Sequence, residues 1–197
     1  MIRPKIILAS ASPRRKELLA SLLDNFGLKF KVIPANIHEK LPSNSVNPGK
    51  LACRLSMEKA DFVAKKHKGI IIGADTIVVL NEKILGKPVN KSDARKMLTL
   101  LSGRSHYVYT GLSIVHNRQN KIYNTFEMTI VKFRKITSNE IEFYVNSGSP
   151  FDKAGSYGIQ DDFGSTFVSA IKGDFFNVVG LPVVKTYLGL KKFIELG

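Results

Sequence analysis

The run from Gly69 to Leu80 constrains this chain more than any other stretch: Gly69-Ile70-Ile71-Ile72-Gly73-Ala74-Asp75-Thr76-Ile77-Val78-Val79-Leu80. It does not alternate apolar and polar residues, as a strand with one wet face would. A nearly continuous run rich in Ile and Val predicts a strand buried on both faces, hence a sheet with covering layers on each side. A single carboxylate, Asp75, interrupts it. An unpaired charge there is very costly, so Asp75 has to be paired, metal-bound or at a cleft. An acid in a buried strand beside small residues is a functional candidate, with a structural cap as the alternative.

The second informative stretch is Leu8-Ala9-Ser10-Ala11-Ser12-Pro13-Arg14-Arg15. Lys5 to Leu8 reads as a short buried strand. Pro13 to Leu23 reads as an amphipathic helix, with Leu18, Leu19, Leu22 and Leu23 at helical spacing. Ser12 is the expected N-cap, and Pro13 suits the first helical position because its missing N–H had no partner there. The free N–H groups of that helix start, with two arginines, make an anion site suited to phosphate. The alternative is an ordinary helix start with solvated arginines. The glycines and lysine of a Walker loop are absent, so that motif does not apply.

The third stretch is Asp152-Lys153-Ala154-Gly155-Ser156-Tyr157-Gly158-Ile159-Gln160, whose glycines allow close backbone approach, with a plain loop as the alternative. Between these landmarks, Lys29 to Pro34 reads as a strand and Ala35 to Gly49 as a turn-rich loop holding Glu39. Leu51 to His67 is an expected helix that turns Leu51, Leu55, Ala60 and Val63 inward and carries Glu58 and Lys59. Asn81-Glu82 turns into Lys83 to Leu85, and Lys87 lies in the constrained Gly86-Lys87-Pro88 loop. Lys91 to Leu101 and Ser138 to Asn146 are further helices. Ser105 to His116 and Lys121 to Arg134 form an expected hairpin. Thr166 to Ile171 and Asn177 to Val179 read as late strands, and a last helix runs from Pro182 to near Leu196. Early alternation of strands and helices with an antiparallel middle predicts an α/β fold built on a mixed sheet.

Composition excludes several classes. Across 197 residues no apolar run reaches the roughly 18 needed to span a bilayer, and the first residues do not read as a secretory signal. One cysteine, Cys53, excludes an intrachain disulfide and fits a reducing cytoplasm; in an apparent helix it reads as a buried, inert thiol. His38, His67, His106 and His116 show no paired ligand spacing, which argues against zinc. The net charge of +14 predicts attraction to polyanions. The lysines are dispersed, however, without the aromatic-basic interleaving of a base-stacking surface, so nucleic-acid binding is not the expected main function.

Six motifs now stand in order: Ser10 to Arg15, Gly73-Ala74-Asp75-Thr76, Gly86-Lys87-Pro88, Leu101-Ser102-Gly103-Arg104-Ser105-His106, Asp152 to Gln160, and Val179-Gly180-Leu181-Pro182. Together they resemble the Maf family, septum-formation-inhibitor-like nucleoside triphosphate pyrophosphatases, from about Ile6 to Leu190. The resemblance implies a single elongated α/β domain over residues 1–197, with a mixed twisted sheet flanked by helices and a central cleft, similar to inosine-triphosphate pyrophosphatases. It implies cytoplasmic hydrolysis of a nucleoside triphosphate to monophosphate and pyrophosphate, aided by a divalent metal cation, Mg²⁺ or Mn²⁺. It also implies a homodimer. Asp75 matches the family's catalytic acid. Ser10, Arg14, Arg15, Glu39, Lys59 and Lys87 match its phosphate and metal cluster, with Glu39 and Asp75 as the metal carboxylates.

Thr76, directly after that acid, and Gln160, closing the glycine-rich motif, resemble the branch that acts on dTTP and UTP; a 7-methyl-GTP branch carries Gln after the acid. Arg14 matches a third position linked to specificity. Asp161-Asp162-Phe163 departs from the pattern, where a glycine is usual after Gln160. The implied role is cleansing of nucleotide pools, with a possible part in division arrest. The alternative is a non-catalytic nucleotide- or DNA-associated regulator of division, against which the intact Asp75 argues. A serine hydrolase built on Ser10 or Ser12 lacks a Gly-x-Ser-x-Gly elbow and a partner histidine.

Overall fold

The computed structural model describes residues 5–37, 47–117, 119–160 and 163–196; Glu39, Asp161 and Asp162 lie outside them. Among the described residues seven strands share one sheet in the order β2-β1-β3-β5-β6-β7, with β4 paired to β3. The strands are β1 (Ile6–Leu8), β2 (Phe30–Val32), β3 (Ile70–Leu80), β4 (Lys83–Leu85), β5 (Ser105–His116), β6 (Lys121–Phe133) and β7 (Val168–Lys172). β1 runs parallel to β2 and to β3, while β3–β4 and β6–β7 are antiparallel, giving the mixed sheet that the alternation of elements predicts. The helices are α1 (Pro13–Asp24), α2 (Pro48–Ala64), α3 (Lys91–Leu101), α4 (Ser138–Asn146), α5 (Phe175–Val179) and α6 (Val183–Leu190). None of them is long and apolar enough to cross a membrane.

The chain packs as two compact units, and β3, β5 and β6 each contribute to both. The first comprises Met1–Asp75, Thr110–Glu127 and Gly180–Gly197. Its core follows from strand alternation. Ile6 and Leu8 of β1, with Ile70 and Ile72 of β3, face Leu19 and Leu23 of α1 and Leu181 and Leu190 near α6. Ile7, Ala9 and Ile71 face the other way, onto Ala60 and Val63 of α2. The central strands are therefore covered on both sides, as their unbroken apolar sequence requires. Leu19 and Leu23 are fully buried, and truncating either to Ala costs about 3 kcal/mol by the usual cavity rule.

The second unit comprises Thr76–Tyr109 and Met128–Val179. Asn81 and Glu82, at φ 48° and 65°, turn β3 back into β4. Helix α4 opens with a capping box: Thr137 Oγ1 accepts from the Glu140 N–H while Glu140 accepts from the Thr137 N–H. Arg95 of α3 grips Glu142 of α4 with both ends of its guanidinium. An aromatic cluster of His106, Phe133, Tyr144, Tyr157, Phe163 and Phe167 fills the interior.

Five local expectations are corrected. Helix α2 begins at Pro48, not Leu51, because Asn47 caps it by accepting from the Lys50 N–H and Pro48 fills the first turn. Residues 175–179 are helical rather than a strand; the Asp174 carboxylate accepts from the Phe176 N–H, and short apolar runs do not declare their period. A 3₁₀ turn, Gly164–Phe167, precedes β7, which starts at Val168 rather than Thr166. Helix α6 stops at Leu190, where the Lys192 and Phe193 N–H groups bond back to Gly189 and Leu190 in a tighter turn. Cys53 is half-buried rather than buried, and burial still pushes its thiol up.

Candidate active site

Helix α2 crosses the sheet unusually close to β3. A Cβ placed on Gly73 would lie 2.2 Å from the Ser56 carbonyl oxygen, so only glycine permits this approach. One turn further along α2, Lys59 reaches Asp75 and donates to its carboxylate. The side chains are only 12% and 7% exposed, so each ion is largely removed from water and balanced by the other. Asp75 is thus paired, which satisfies one of the three conditions its burial imposed.

The Ser10 loop leaves the sheet at the same end. The Ala9 N–H still bonds the Ile72 carbonyl, at 2.8 Å, and the parallel register of Leu8 with Ile72 brings Ser10 level with Ala74. Open α/β sheets bind ligands at these carboxyl ends of their parallel strands. Ser12 caps α1 as its position predicts, its hydroxyl accepting from the Arg15 N–H at 3.4 Å, with Pro13 following. The Ser12 N–H turns back onto Ser10 Oγ at 3.3 Å, and Arg15 Nη1 donates to the same oxygen at 3.1 Å. Arg15 Nε donates to the Gly180 carbonyl at 2.8 Å. The Arg15 guanidinium and the capped start of α1 thus lie against a buried serine, and the Lys59 ammonium against a buried carboxylate, groups suited to an oxyanion with its counter-charges.

The first unit therefore pairs Ser10 with Arg15 and Lys59 with Asp75, and carries Arg14, partly buried, on the first turn of α1. Thr76, Lys87 and Gln160 belong to the second unit. Thr76 is partly exposed and lies on the opposite face of β3 from Asp75, as strand alternation requires. Lys87 and Gln160 are exposed. The backbone beside Lys87 is fixed to the glycine-rich stretch, since the Gly155 N–H donates to the Gly86 carbonyl at 3.0 Å. Glu39, the second metal carboxylate that the resemblance implies, lies outside the described residues.

The donor set bears on the metal. Among the described residues no three His, Cys, Asp or Glu side chains cluster. Asp75 offers a hard carboxylate oxygen beside an anion-type loop. That suits Mg²⁺ or Mn²⁺ in the mode where one or two carboxylates hold the ion and substrate phosphates complete its shell.

A family model described as Maf-like protein matches residues 5–193. The chain belongs to the Maf family. It is 47% identical over 194 residues to a dTTP/UTP pyrophosphatase of Thermoanaerobacter sp., covering 98% of each chain. It is 46% identical over 190 residues to a dTTP/UTP pyrophosphatase of Bacillus anthracis, covering 96% of this chain and 95% of that one. A solved nucleoside-triphosphatase, dITP/XTP pyrophosphatase from Mycobacterium abscessus aligns with 95% of this chain and 93% of its own, at a TM-score of 0.47 and 11% identity.

Two features of this Maf chain escape sequence reasoning. One is the Gly180 carbonyl as anchor for Arg15; the Val179-Gly180-Leu181-Pro182 motif signals its place, but nothing in the sequence signals its partner. The other is a fully buried His106, whose Nε2 shares a hydrogen bond of 2.8 Å with the Tyr157 hydroxyl while Nδ1 has no partner among the described residues. Burial pulls the His106 imidazole down to about 4 and pushes the Tyr157 phenol up. Both residues sit in motifs the sequence flags, yet only the fold joins them. Tyr144 adds a second tie by accepting from the Gly158 N–H at 3.2 Å.

Proposed function

We propose that this chain hydrolyses dTTP and UTP to the monophosphate and pyrophosphate, with a divalent cation, and so cleanses the nucleotide pool. The observation that carries the reading is Asp75, a buried, lysine-paired carboxylate in the middle of β3, just past the level at which the neighbouring β1 ends and leads into a capped, arginine-bearing helix. The relatives' names supply the substrate class: they are dTTP/UTP pyrophosphatases at close to half identity over almost their whole length.

The triphosphate lies over the start of α1, where Ser10 and Arg14 meet its oxygens and the Arg15 guanidinium, bonded to Ser10 Oγ, adds its charge. Lys59 and Lys87 add point charges, and Asp75, with Glu39, would hold the cation. When bound, that cation supplies positive charge to the phosphate oxygens. Asp75 orients the attacking water and takes its proton. The new bond runs from water oxygen to the α-phosphorus. The bond from the α-phosphorus to the bridging oxygen breaks, and pyrophosphate leaves with that electron pair. Arg14, Arg15 and Lys59 stabilise the charge that develops. Thr76 and Gln160 read the pyrimidine edge, since each both donates and accepts hydrogen bonds. Assembly as a homodimer and a cytoplasmic location belong to the same reading.

The test is pyrophosphate release from dTTP, UTP, CTP, 7-methyl-GTP and ITP, each with Mg²⁺, Mn²⁺ or EDTA. The expected result is release from dTTP and UTP that EDTA abolishes. Release only from 7-methyl-GTP or ITP overturns the roles of Thr76 and Gln160, and silence from folded protein overturns the enzyme. Sedimentation of the same sample tests the dimer.

A further inference from the structure

The hydrogen-bond arrangement of Ser10 has a definite polarity. A serine hydroxyl has two acceptor lone pairs and one proton. Ser10 Oγ accepts from the Ser12 N–H at 3.3 Å and from Arg15 Nη1 at 3.1 Å, so both lone pairs are engaged. The residue is 5% exposed, and among the described residues no acceptor receives its proton. The hydroxyl is therefore fixed as a donor at the mouth of the anion loop.

Arg15 is held in turn. Its Nε donates to the Gly180 carbonyl at 2.8 Å, across 165 residues of chain. Gly180 sits at φ +126°, a backbone state that side-chain-bearing residues rarely adopt, just before the Leu181-Pro182 entry to α6. One guanidinium thus bridges the C-terminal segment to the Ser10 loop. Lysine cannot imitate this, because an ammonium is a single point donor without the fixed fork.

We infer that Arg15 and Gly180 are positioning residues: the Gly180 carbonyl aims the Arg15 guanidinium, which holds the Ser10 hydroxyl as a proton donor to a substrate phosphate oxygen. This rests on the proposed triphosphate reaction and gives Arg15 a role distinct from that of a phosphate clamp. It also gives the Gly180 motif, which the chemistry of hydrolysis leaves unused, a function in the site.

A double-mutant cycle on Ser10→Ala and Arg15→Lys tests it, read as kcat/KM for UTP and as the calorimetric Kd for α,β-methylene-UTP. Thermal melts establish that each variant is folded. If Arg15 works through Ser10, Arg15→Lys loses activity despite keeping its charge, by about tenfold or more, and the double variant is no worse than the poorer single variant within about threefold. If Arg15 instead grips phosphate on its own, Arg15→Lys keeps most activity and the two losses multiply; that outcome overturns the inference. Gly180→Ala provides a second route that alters neither side chain. It should reproduce the Arg15→Lys loss and show the same lack of multiplication with Ser10→Ala. A folded Gly180→Ala protein with wild-type kcat/KM and Kd overturns the part assigned to Gly180. Should wild type release no pyrophosphate from any triphosphate, the enzymatic reading fails. The same cycle read on the Kd for inorganic tripolyphosphate then still decides the coupling.

Discussion

Lys59 on α2 donates to Asp75 on β3, and the close approach of the two elements at Gly73 is what lets it reach. The pair is nearly dry, at 12% and 7% side-chain exposure, so neither charge is balanced by water. Replacing Asp75 with Asn keeps the shape and one acceptor but removes the carboxylate charge on which the proposed water activation and cation binding depend. The expected result is a folded protein whose kcat falls about 10³-fold or more. Steady-state kinetics beside circular dichroism checks this, and a near-normal kcat in folded Asp75→Asn protein would falsify its catalytic role. Lys59→Met, which removes the ammonium from a buried carboxylate, should lower unfolding free energy by about 3 kcal/mol in urea titration.

Gly73 makes a separate prediction about geometry. A methyl group there would sit 2.2 Å from the Ser56 carbonyl oxygen and 2.9 Å from the Ala60 nitrogen, both backbone atoms of α2. Backbone cannot swing aside as a side-chain tip can, so α2 has to lift. Gly73→Ala should cost about 3 kcal/mol of stability and reduce kcat by drawing Lys59 away from Asp75. Gly86→Ala is the control: open space surrounds that position, and its stability should change by less than about 0.5 kcal/mol. Urea denaturation of the two variants side by side checks the contrast.

Elements whose period or capping is written locally were legible without coordinates. Helix α3 and helix α4 span the expected residues, because Asn90 and Thr137 are strong N-caps ahead of clear helical patterns. The burial of β3 was legible because no alternating strand has that composition. The Asn177 region misled because a five-residue helix is too short to show 3.6-residue spacing; its side chain is held by the Val108 carbonyl and Thr129, contacts remote in sequence. The site divides the same way. The Ser12 cap is a local fact and was readable. The partners of Asp75, Arg15 and His106 lie 16, 165 and 51 residues away, and no spacing rule reaches that far.

Base choice should separate from chemistry. Thr76 lies on the opposite face of β3 from Asp75, and Gln160 is exposed in the second unit, so neither side chain is part of the Lys59–Asp75 pair. Loss of one base-reading hydrogen bond is worth about 1 kcal/mol, roughly fivefold in relative kcat/KM. Thr76→Ala and Gln160→Ala should therefore each shift the ratio of UTP to CTP or ITP turnover by about that factor. A competition assay with mixed nucleotides reads the ratio directly. Equal losses on every base would contradict a reading role and assign both residues to structure.

The buried His106–Tyr157 pair predicts an acid limit on stability with a definite window. His106 titrates at 6.5 when unfolded and at about 4 in the fold, because burial disfavours the imidazolium. Above pH 6.5 both states are neutral and the group contributes no pH dependence. Between 6.5 and 4 the unfolded chain takes up a proton that the folded chain refuses, so stability falls as pH falls, by about 3 kcal/mol in total. Below 4 both states are protonated and this contribution levels off. Glu140 acts in a lower window, from 4.5 down to about 2, because the Arg134 guanidinium beside it holds its carboxyl low. The two windows overlap only between about 4.5 and 4, so measurements at pH 4.5 and above read the His106 window. Urea denaturation at pH 7.5, 5.5 and 4.5 should show the His106 slope in wild type. His106→Gln keeps a donor for the Tyr157 hydroxyl but has no proton to gain; it should start less stable at pH 7.5 and lose that slope. An unchanged slope in the variant would place the acid sensitivity elsewhere in the chain.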